Sequence, residues 1–225
     1  MKTHIFCQPF KGWCYQKYLK RIIDIIAALV LLVLFFPICV ITAIAIKLNS
    51  RGPIFADVPE RVGQGGKLFK MYKFRSMIEN AHFLLRQDPQ FRALFQEYKK
   101  SSYKLKNDPR VTSVGRFIRK HSLDEIPQLI NVLRGDMSLI GPRAYYPDEL
   151  ENQQKKFPHT KKLLKSVLSV KPGISGLWQV SGRSEINFDK RIAIDSKYAS
   201  DISLWLDLKI MLKTPLVMLS GEGAI

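Results

Sequence analysis

The sequence predicts an α-rich α+β fold in two parts: an N-terminal membrane helix kinked at a proline, and a small cytosolic domain with amphipathic helices at the membrane surface. Three observations support this prediction. A long apolar run occupies residues 22–46, helical patterns dominate the rest of the 225 residues, and Lys and Arg outnumber Asp and Glu by 36 to 19. Such a basic chain favours an anionic partner. The apolar run points to a membrane, and no nucleic-acid motif is present, so we expect no nucleic-acid partner.

The apolar run is long enough to cross a bilayer, which takes about 20 residues, but two features favour a re-entrant helix. Basic residues flank both ends of the run, and basic flanks are retained on the cytoplasmic side. Pro37 lies inside the run, where it removes a backbone donor and bends a helix. The first arm, residues 22–36, would reach about 22 Å, which is short of a hydrocarbon core about 30 Å thick. The alternative is a kinked helix that spans the membrane.

The remaining sequence predicts a globular domain with several short elements. The segment 63–66, Gly-Gln-Gly-Gly, predicts a tight turn between two extended segments. Two later helices combine an apolar face with many lysines, which is typical of helices in the headgroup plane, although both faces would equally suit the domain core. The extended segments are 54–61 and 67–74, and the helical segments are 78–100 with a break at Pro89, 114–120, 127–133, 160–168, and 204–219 interrupted at Pro215.

Two adjacent carboxylates, Asp124 and Glu125, stand just before Pro127 in basic surroundings. Ser122 and Glu125 match a capping box, and a helix that begins at Pro127 is the alternative. Either way the carboxylates lie at a helix N-terminus, a place that also receives phosphate. Chemically, Asp124 suits a nucleophile on phosphorus and Glu125 an acid, a base or an orienting partner. Carboxylates also hold Mg²⁺, which would neutralise a diphosphate.

Four motifs in order resemble the bacterial sugar transferase family, the monotopic phosphoglycosyl transferases that begin cell-surface glycan assembly. The resemblance runs from about residue 17 to the C-terminus and is specific because the motifs are long and ordered. The motifs are Tyr-Lys-Phe-Arg-Ser-Met at 72–77, Arg119 with Ser-Leu-Asp-Glu-Ile-Pro-Gln-Leu at 122–129, Gly-Asp-Met-Ser-Leu-Ile-Gly-Pro-Arg at 135–143, and Lys-Pro-Gly-Ile-Ser-Gly-Leu-Trp-Gln-Val-Ser-Gly-Arg at 171–183.

This resemblance implies a reaction at the cytoplasmic face of the bacterial inner membrane. A UDP-sugar gives its sugar-1-phosphate to undecaprenyl phosphate and releases UMP, which initiates the assembly of surface polysaccharides such as exopolysaccharide, capsule or O-antigen. The resemblance also implies that Asp124 forms a covalent aspartyl phosphosugar, that Glu125 is its partner, and that Mg²⁺ binds at Asp124. The expected organisation is an N-terminal interfacial segment (1–21), a re-entrant membrane helix (22–48) and a cytosolic catalytic domain with membrane-surface helices (49–225).

Several basic residues of these motifs are candidates for phosphate binding. An arginine fork matches two phosphate oxygens at once, and a lysine supplies a point charge. An isolated arginine is usually a solvated surface charge, but four ordered motifs favour binding. The candidates within the motifs are Lys73, Arg75, Arg119, Arg143 and Arg183. Arg191, which follows the last motif at a spacing that resembles the family, is a further candidate, with a solvated surface charge as its alternative. Trp178 would either pack on a base or sugar, or lie buried in the core.

The last motif, as it stands around Trp178, resembles the same motif in family members that transfer a hexose-1-phosphate, such as glucose-1-phosphate or galactose-1-phosphate. Two positions differ from the family pattern. Ala144 stands where many members have a second proline, and Phe36 precedes Pro37 where many small members have serine. Because only about 20 residues precede the apolar run, we expect a minimal catalytic form or a chain trimmed to it. The alternative function is a non-catalytic membrane adaptor that recruits glycan-assembly enzymes; a homodimer and contacts with phospholipid are also expected partners.

Overall fold

The computed structural model of the protein describes residues 12–101, 103, 105, 107–182 and 186–220. The described part is mostly helical, with four short strands. The longer helices are Lys20–Asn49 (α1), Ala81–Gln87 (α2), Arg92–Lys100 (α3), Ser113–Lys120 (α4), Gln128–Arg134 (α5), Pro147–Lys156 (α6), Lys161–Val167 (α7), Phe188–Asp201 (α8) and Leu204–Ser220 (α9). The strands are Arg61–Val62 (β1), Leu68–Phe69 (β2), Ser138–Ile140 (β3) and Gly173–Ser175 (β4).

Helix α1 carries the apolar run, and the helical segment Tyr15–Asn49 that contains it is long and apolar enough to cross a membrane. Pro37 lies inside α1, and the helix continues on both sides of it. The side chains of Val33 and Phe36 are 75% and 66% exposed. Apolar side chains this exposed are unfavourable in water and are typical of a lipid-facing helix. A kink at Pro37 and a re-entrant path stay predictions.

The first half of α1 packs against the globular part of the chain. Arg21 donates hydrogen bonds to the carbonyl oxygens of Val132 and Leu133, the second at 2.8 Å. Asp24 accepts a hydrogen bond from the backbone N–H of Leu139 at 3.1 Å. Arg21 therefore binds carbonyl groups near the C-terminal end of α5, where a positive charge also complements the helix dipole.

The second half of α1 returns to the same globular part. Ile46 is buried in a cluster with Phe74 and Ile118, and Asn49 Nδ2 donates to Ser113 Oγ at 2.9 Å. Both ends of the helix thus contact one packed body, while its middle is exposed.

A buried ion pair joins the start of α1 to the start of α9. Lys20 pairs with Asp207, and Tyr15 and Tyr198 donate to the same carboxylate at 2.8 and 2.6 Å. Asp207 is 3% exposed, so its charge requires these partners. The network anchors the N-terminal helix to the C-terminal one.

The predicted tight turn is confirmed. Strands β1 and β2 pair antiparallel on either side of the segment 63–66, and Phe55 forms an isolated bridge with Phe74 further along the same ribbon. The expected helical segments at 78–100 and 114–120 also form, with the break at Pro89 occupied by a 3₁₀ turn.

Two glycine–proline turns of the sequence motifs meet in space. Strand β3 pairs parallel with β4, and Gly173 N donates to the carbonyl oxygen of Pro142 at 2.8 Å. A Cβ on Gly173 would lie 2.1 Å from the backbone nitrogen of Gly141. Only glycine permits this approach. The close contact brings the segments that follow Gly141 and Gly173 together, and both segments line the pocket described below.

The two lysine-rich helices behave differently. The apolar side of α7 packs into a cluster with Phe188 and Ile192 of α8, so core packing is the correct alternative for that helix. In α9, Ile210 is buried, whereas Trp205 and Leu212 are each 75% exposed. Helix α9 therefore keeps an apolar outer face, and the expected interruption at Pro215 does not occur.

Candidate active site

The two carboxylates lie in a 3₁₀ turn, Leu123–Glu125, immediately before α5. Ser122 has a left-handed backbone (φ 55°) and its side chain makes no capping hydrogen bond. The capping-box alternative is therefore wrong, and the helix begins at Gln128 with Pro127 in the preceding position. Asp124 is 7% exposed, whereas the Glu125 side chain is 37% exposed.

Lys73 links both carboxylates. Its Nζ lies 3.2 Å from Asp124 Oδ2 and 2.7 Å from Glu125 Oε1. The backbone fixes this arrangement, since Phe74 N donates to the carbonyl oxygen of Asp124 at 3.0 Å. The segment that carries Lys73 thus runs directly beside the turn that carries the carboxylate dyad, Asp124 and Glu125.

The charges of these three groups depend on one another. Burial raises the pKa of the Asp124 carboxyl; the Lys73 ammonium opposes this shift, and Glu125 adds to it. Burial alone would lower the pKa of Lys73, but the charges of Asp124 and Glu125 outweigh it and raise that pKa. Lys73 therefore remains an ammonium and favours the ionised form of a buried carboxylate that would otherwise take up a proton more readily.

Asn131 holds the two site-bearing segments in register. Its Oδ1 accepts from Tyr72 N at 2.9 Å, and its Nδ2 donates to the carbonyl oxygen of Lys70 at 2.8 Å. Nδ2 also lies 3.2 Å from Asp136 Oδ2. Asn131 is fully buried, so these bonds satisfy a side chain that would otherwise be costly to bury.

The dyad opens into a pocket of about 310 Å³. Two of the predicted phosphate ligands, Arg119 and Arg143, line it together with Lys73. These cations suit a phosphorylated ligand, although three further carboxylates, those of Asp57, Glu79 and Asp108, also line the pocket.

The other predicted arginines lie elsewhere or act differently. Arg75 borders the pocket, but its guanidinium donates to the carbonyl oxygens of Arg51 and Ser50 at 2.6 and 2.9 Å. Arg191 is 1% exposed and does not line the pocket; its Nη1 lies 3.7 Å from Glu149 Oε1. Arg183 falls outside the described residues. Phosphate binding by each of these arginines stays a prediction.

Trp178 is buried in the wall of the pocket. The guanidinium carbons of Arg143 and Arg191 each lie 5.4 Å from a ring centroid of Trp178, within the range of a cation–π contact. The ring therefore packs with the arginine that faces the pocket and with the one behind it.

The sequence analysis did not name several other pocket residues as site candidates, among them Arg61, His82, Gln128 and Tyr146. Arg61 donates to the carbonyl oxygen of Ala144 at 2.9 Å and lies over the Tyr146 ring, with Cζ 3.3 Å from the centroid. Burial and several neighbouring arginines lower the pKa of His82 to about 3, so its imidazole is neutral at physiological pH. The position of Arg61 just before the predicted turn was a usable signal, whereas nothing local marks His82.

The carboxylates of Asp124 and Glu125 are suitable oxygen ligands for Mg²⁺. Within the described ranges there is no group of three or more His, Cys, Asp or Glu side chains that could hold a metal. Mg²⁺ commonly binds through one or two carboxylates and completes its coordination with water and substrate phosphates. The donor set at the dyad fits that mode.

A buried carboxylate paired with a lysine in an arginine-lined pocket, on a chain with one helix apolar enough to cross a membrane, fits a membrane-associated protein that binds phosphate groups. The bacterial sugar transferase family model matches residues 15–221. The chain belongs to that family.

Curated relatives agree with this assignment. The chain is 44% identical, over 93% of its length, to the undecaprenyl-phosphate galactose phosphotransferase of Salmonella typhimurium, and 43% identical over 93% to the UDP-galactose-lipid carrier transferase of Erwinia amylovora. It spans 42% of the length of each of these relatives. It is also 40% identical, over 89% of its length, to the exopolysaccharide production protein ExoY of Rhizobium meliloti, of which 86% is covered.

Proposed function

We propose that the protein transfers a hexose-1-phosphate from a UDP-sugar to undecaprenyl phosphate, releases UMP, and so initiates surface polysaccharide assembly. The observation that carries this proposal is the ion-paired group of Lys73, Asp124 and Glu125 in a pocket that Arg119 and Arg143 also line. The names of two relatives support the substrates: one names undecaprenyl phosphate and galactose, the other UDP-galactose and a lipid carrier.

The first step is attack by a carboxylate oxygen of Asp124 on the phosphorus that carries the sugar. The new O–P bond replaces the bond to the bridging oxygen of the diphosphate, and UMP leaves with that oxygen. Lys73 favours the ionised, nucleophilic form of Asp124. Arg119 and Arg143 are placed to bind the diphosphate oxygens, whose charge they offset.

The second step is attack by a phosphate oxygen of the lipid acceptor on the same phosphorus. The aspartyl O–P bond breaks, the Asp124 carboxylate is regenerated, and the sugar leaves on a lipid diphosphate. Glu125 is the more exposed carboxylate of the pair, and its contact with Lys73 holds that ammonium in place through both steps.

We also propose that Mg²⁺ binds at Asp124, with Glu125 beside it. When bound, it supplies positive charge that neutralises the diphosphate.

The membrane arrangement proposed here is a re-entrant α1 at the cytoplasmic face of the inner membrane, in contact with phospholipid. Its support is the contact of both helix ends, through Arg21 and Ile46, with one globular body. If that body lies on one side of the bilayer, both ends do too. Cysteine accessibility at positions next to Lys20 and Lys47 tests this, and labelling from opposite sides of the membrane would overturn it. The same labelling of the Pro37→Ala variant shows whether the proline determines that α1 is re-entrant.

The decisive experiment for the reaction measures UMP release. Purified protein in vesicles receives undecaprenyl phosphate, Mg²⁺ and either UDP-galactose or UDP-glucose, beside the Asp124→Asn variant. We expect UMP with one donor, a labelled phosphosugar adduct on the wild-type chain, and neither with the variant. UDP in place of UMP would show ordinary glycosyl transfer, and an adduct on Asp124→Asn would refute the assigned nucleophile. Full function in cells without UMP release would favour the adaptor.

A further inference from the structure

We propose that the isoprenoid chain of the lipid acceptor enters the pocket past Phe55, along an apolar wall that joins the second half of α1 to the catalytic carboxylates. This inference rests on the proposed function, because it requires a lipid phosphate as the second substrate. It adds the route and the binding surface for the apolar part of that substrate.

Phe55 lies at the boundary between the pocket and the outside. Its ring stacks on that of Phe74, with centroids 5.7 Å apart and an interplanar angle of 6°. Both residues line the pocket, but Phe74 is 5% exposed and Phe55 is 48% exposed. The aromatic pair is therefore anchored on its inner side and open on its outer side.

The inner side of this pair continues into the membrane helix. Phe74 is buried together with Ile46 of α1 and Ile118 of α4. Partly buried apolar side chains extend this cluster: Cys39, Ile54, Val114 and Leu123. A chain of packed apolar side chains thus leads from Ile46, in the second half of α1, through the buried Phe74 to Phe55.

The same pair lies next to the reacting groups. Phe74 N donates to the carbonyl oxygen of Asp124 at 3.0 Å, and Phe74 directly follows Lys73 in the chain. A ligand with an apolar tail at Phe55 would place its head among Lys73, Arg119 and Asp124, all of which line the pocket. This order, apolar at the mouth and cationic inside, matches a prenyl phosphate from tail to head.

Two further apolar side chains are exposed on the elements that form this cluster and the pocket. Phe117 of α4 is 61% exposed, and Ile78, which borders the pocket, is 39% exposed. Burial of an isoprenoid chain against such a wall is favourable by about 25 cal/mol per Å² of apolar surface, whereas a nucleotide sugar offers only the face of its uracil ring to an aromatic side chain. The acceptor is the substrate with both an apolar chain and a phosphate, so we assign it to this wall.

The test separates the two half-reactions. Exchange of labelled UMP into the UDP-sugar reports attack by Asp124 and needs no acceptor, whereas lipid-linked product reports both steps. In Phe55→Ala we expect the ratio of product formation to UMP exchange, at subsaturating undecaprenyl phosphate, to fall about tenfold, which corresponds to about 1.4 kcal/mol of acceptor binding. Phe55→Leu, which keeps an apolar side chain, should retain most of that ratio.

Phe83→Ala is the matched control, since Phe83 is 65% exposed and does not line the pocket; its ratio should equal that of the wild type. An unchanged ratio of product formation to UMP exchange in Phe55→Ala would refute the proposal that the isoprenoid chain enters past Phe55. So would a defect in Phe55→Ala that added phospholipid repairs, because phospholipid chains would then be the occupant.

Photolabelling separates the entrance from the reaction itself. A photoreactive farnesyl phosphate should label peptides that contain residue 55 or 74, and undecaprenyl phosphate should compete. If the wild-type protein is labelled in this way but does not exchange UMP, the proposed reaction is refuted and the proposed route of the isoprenoid chain past Phe55 is supported. Absence of competed labelling there would refute the entrance.

Discussion

The Lys73 ammonium lies 2.7 Å from Oε1 of Glu125, and the same nitrogen reaches Asp124 at 3.2 Å. One cation therefore serves two adjacent carboxylates, one buried and one partly exposed. The ionisation of the buried member, Asp124, depends on this lysine because burial alone raises its pKa.

Replacement of Lys73 by Met should shift the pH dependence of UMP exchange. The nucleophile must be ionised, so the rate falls as the pH drops through the pKa of Asp124. Without the ammonium that pKa rises further, and the acidic limb of the profile should move to higher pH, with at least a tenfold loss near pH 7 (about 1.4 kcal/mol). Exchange rates measured from about pH 5 to 9 check this.

Lys70→Met is the control for that experiment, because Lys70 lies on the same segment and is exposed. A Lys73→Met enzyme with an unshifted acidic limb would contradict the assigned electrostatic role.

Arg75→Met should destabilise the junction between α1 and the globular part. The variant loses the hydrogen bonds that the buried Arg75 guanidinium donates to the carbonyl oxygens of Arg51 and Ser50. We expect a loss of about 2–3 kcal/mol in the free energy of unfolding, measured by thermal unfolding in detergent. Arg92→Met, at an exposed arginine, should change little.

The same Arg75→Met variant separates two roles of the residue. With a structural role, the donor KM stays within about twofold of the wild type at temperatures where the variant is folded. A tenfold rise in donor KM with unchanged stability would instead identify Arg75 as a phosphate ligand.

Asn131→Ala should loosen the register between the Lys73 segment and α5. The variant removes hydrogen bonds to Lys70 and Tyr72 in a fully buried position, which should cost about 2–4 kcal/mol of stability. Thermal unfolding measures this loss. The comparison is Ile130→Ala on the exposed side of the same helix. Equal losses of stability in the two variants would refute the role of Asn131 in holding the two segments in register.

Asp195 should make stability depend on pH. Its Oδ2 accepts from Arg143 N at 3.1 Å and from the Tyr145 hydroxyl at 2.9 Å, but full burial raises the pKa of Asp195 to about 7. Because this folded-state pKa lies above the ordinary carboxyl value, protonation favours the folded state. The contribution is complete below about pH 4 and is lost as the pH rises through about 7.

Thermal midpoints of the wild type and of Asp195→Asn, compared between about pH 4 and 8, reveal this contribution. The difference between the two proteins should drift with pH, since the amide does not titrate. A constant difference across the range would show that Asp195 keeps one charge state.

Local patterns carried much of the prediction. The turn at 63–66, the break at Pro89 and the helix that follows Pro127 all form where glycine widens or proline restricts the allowed backbone angles, because these effects act within a few residues. Helix α8 and the parallel pair of β3 with β4 were not predicted. Those strands are only three residues each, too short for a periodic signal.

The site shows the same division. The sequence placed Asp124 and Glu125 correctly at the start of a helix, but it did not separate the motif arginines by role and named Arg191 only as a further candidate. In the structure Arg119 and Arg143 line the pocket, Arg75 binds the end of α1, and Arg191 is buried behind the wall. The groups that an arginine contacts come from distant segments of the chain, so its role cannot be predicted from the residues next to it in the sequence.

The sequence by itself determined the apolar helix, the acidic pair and the ordered motifs of the family. Only the tertiary structure decided that Lys73, which is 51 residues away from Asp124 in the chain, is the cation that holds it, and that Phe55 stacks on Phe74, which packs with Ile46 of α1. Backbone preferences and periodicity act over one or two turns and can be read along the chain. Burial, pKa shifts and ion pairing are set by which distant segments exclude water from a group, and that is a property of the packed fold.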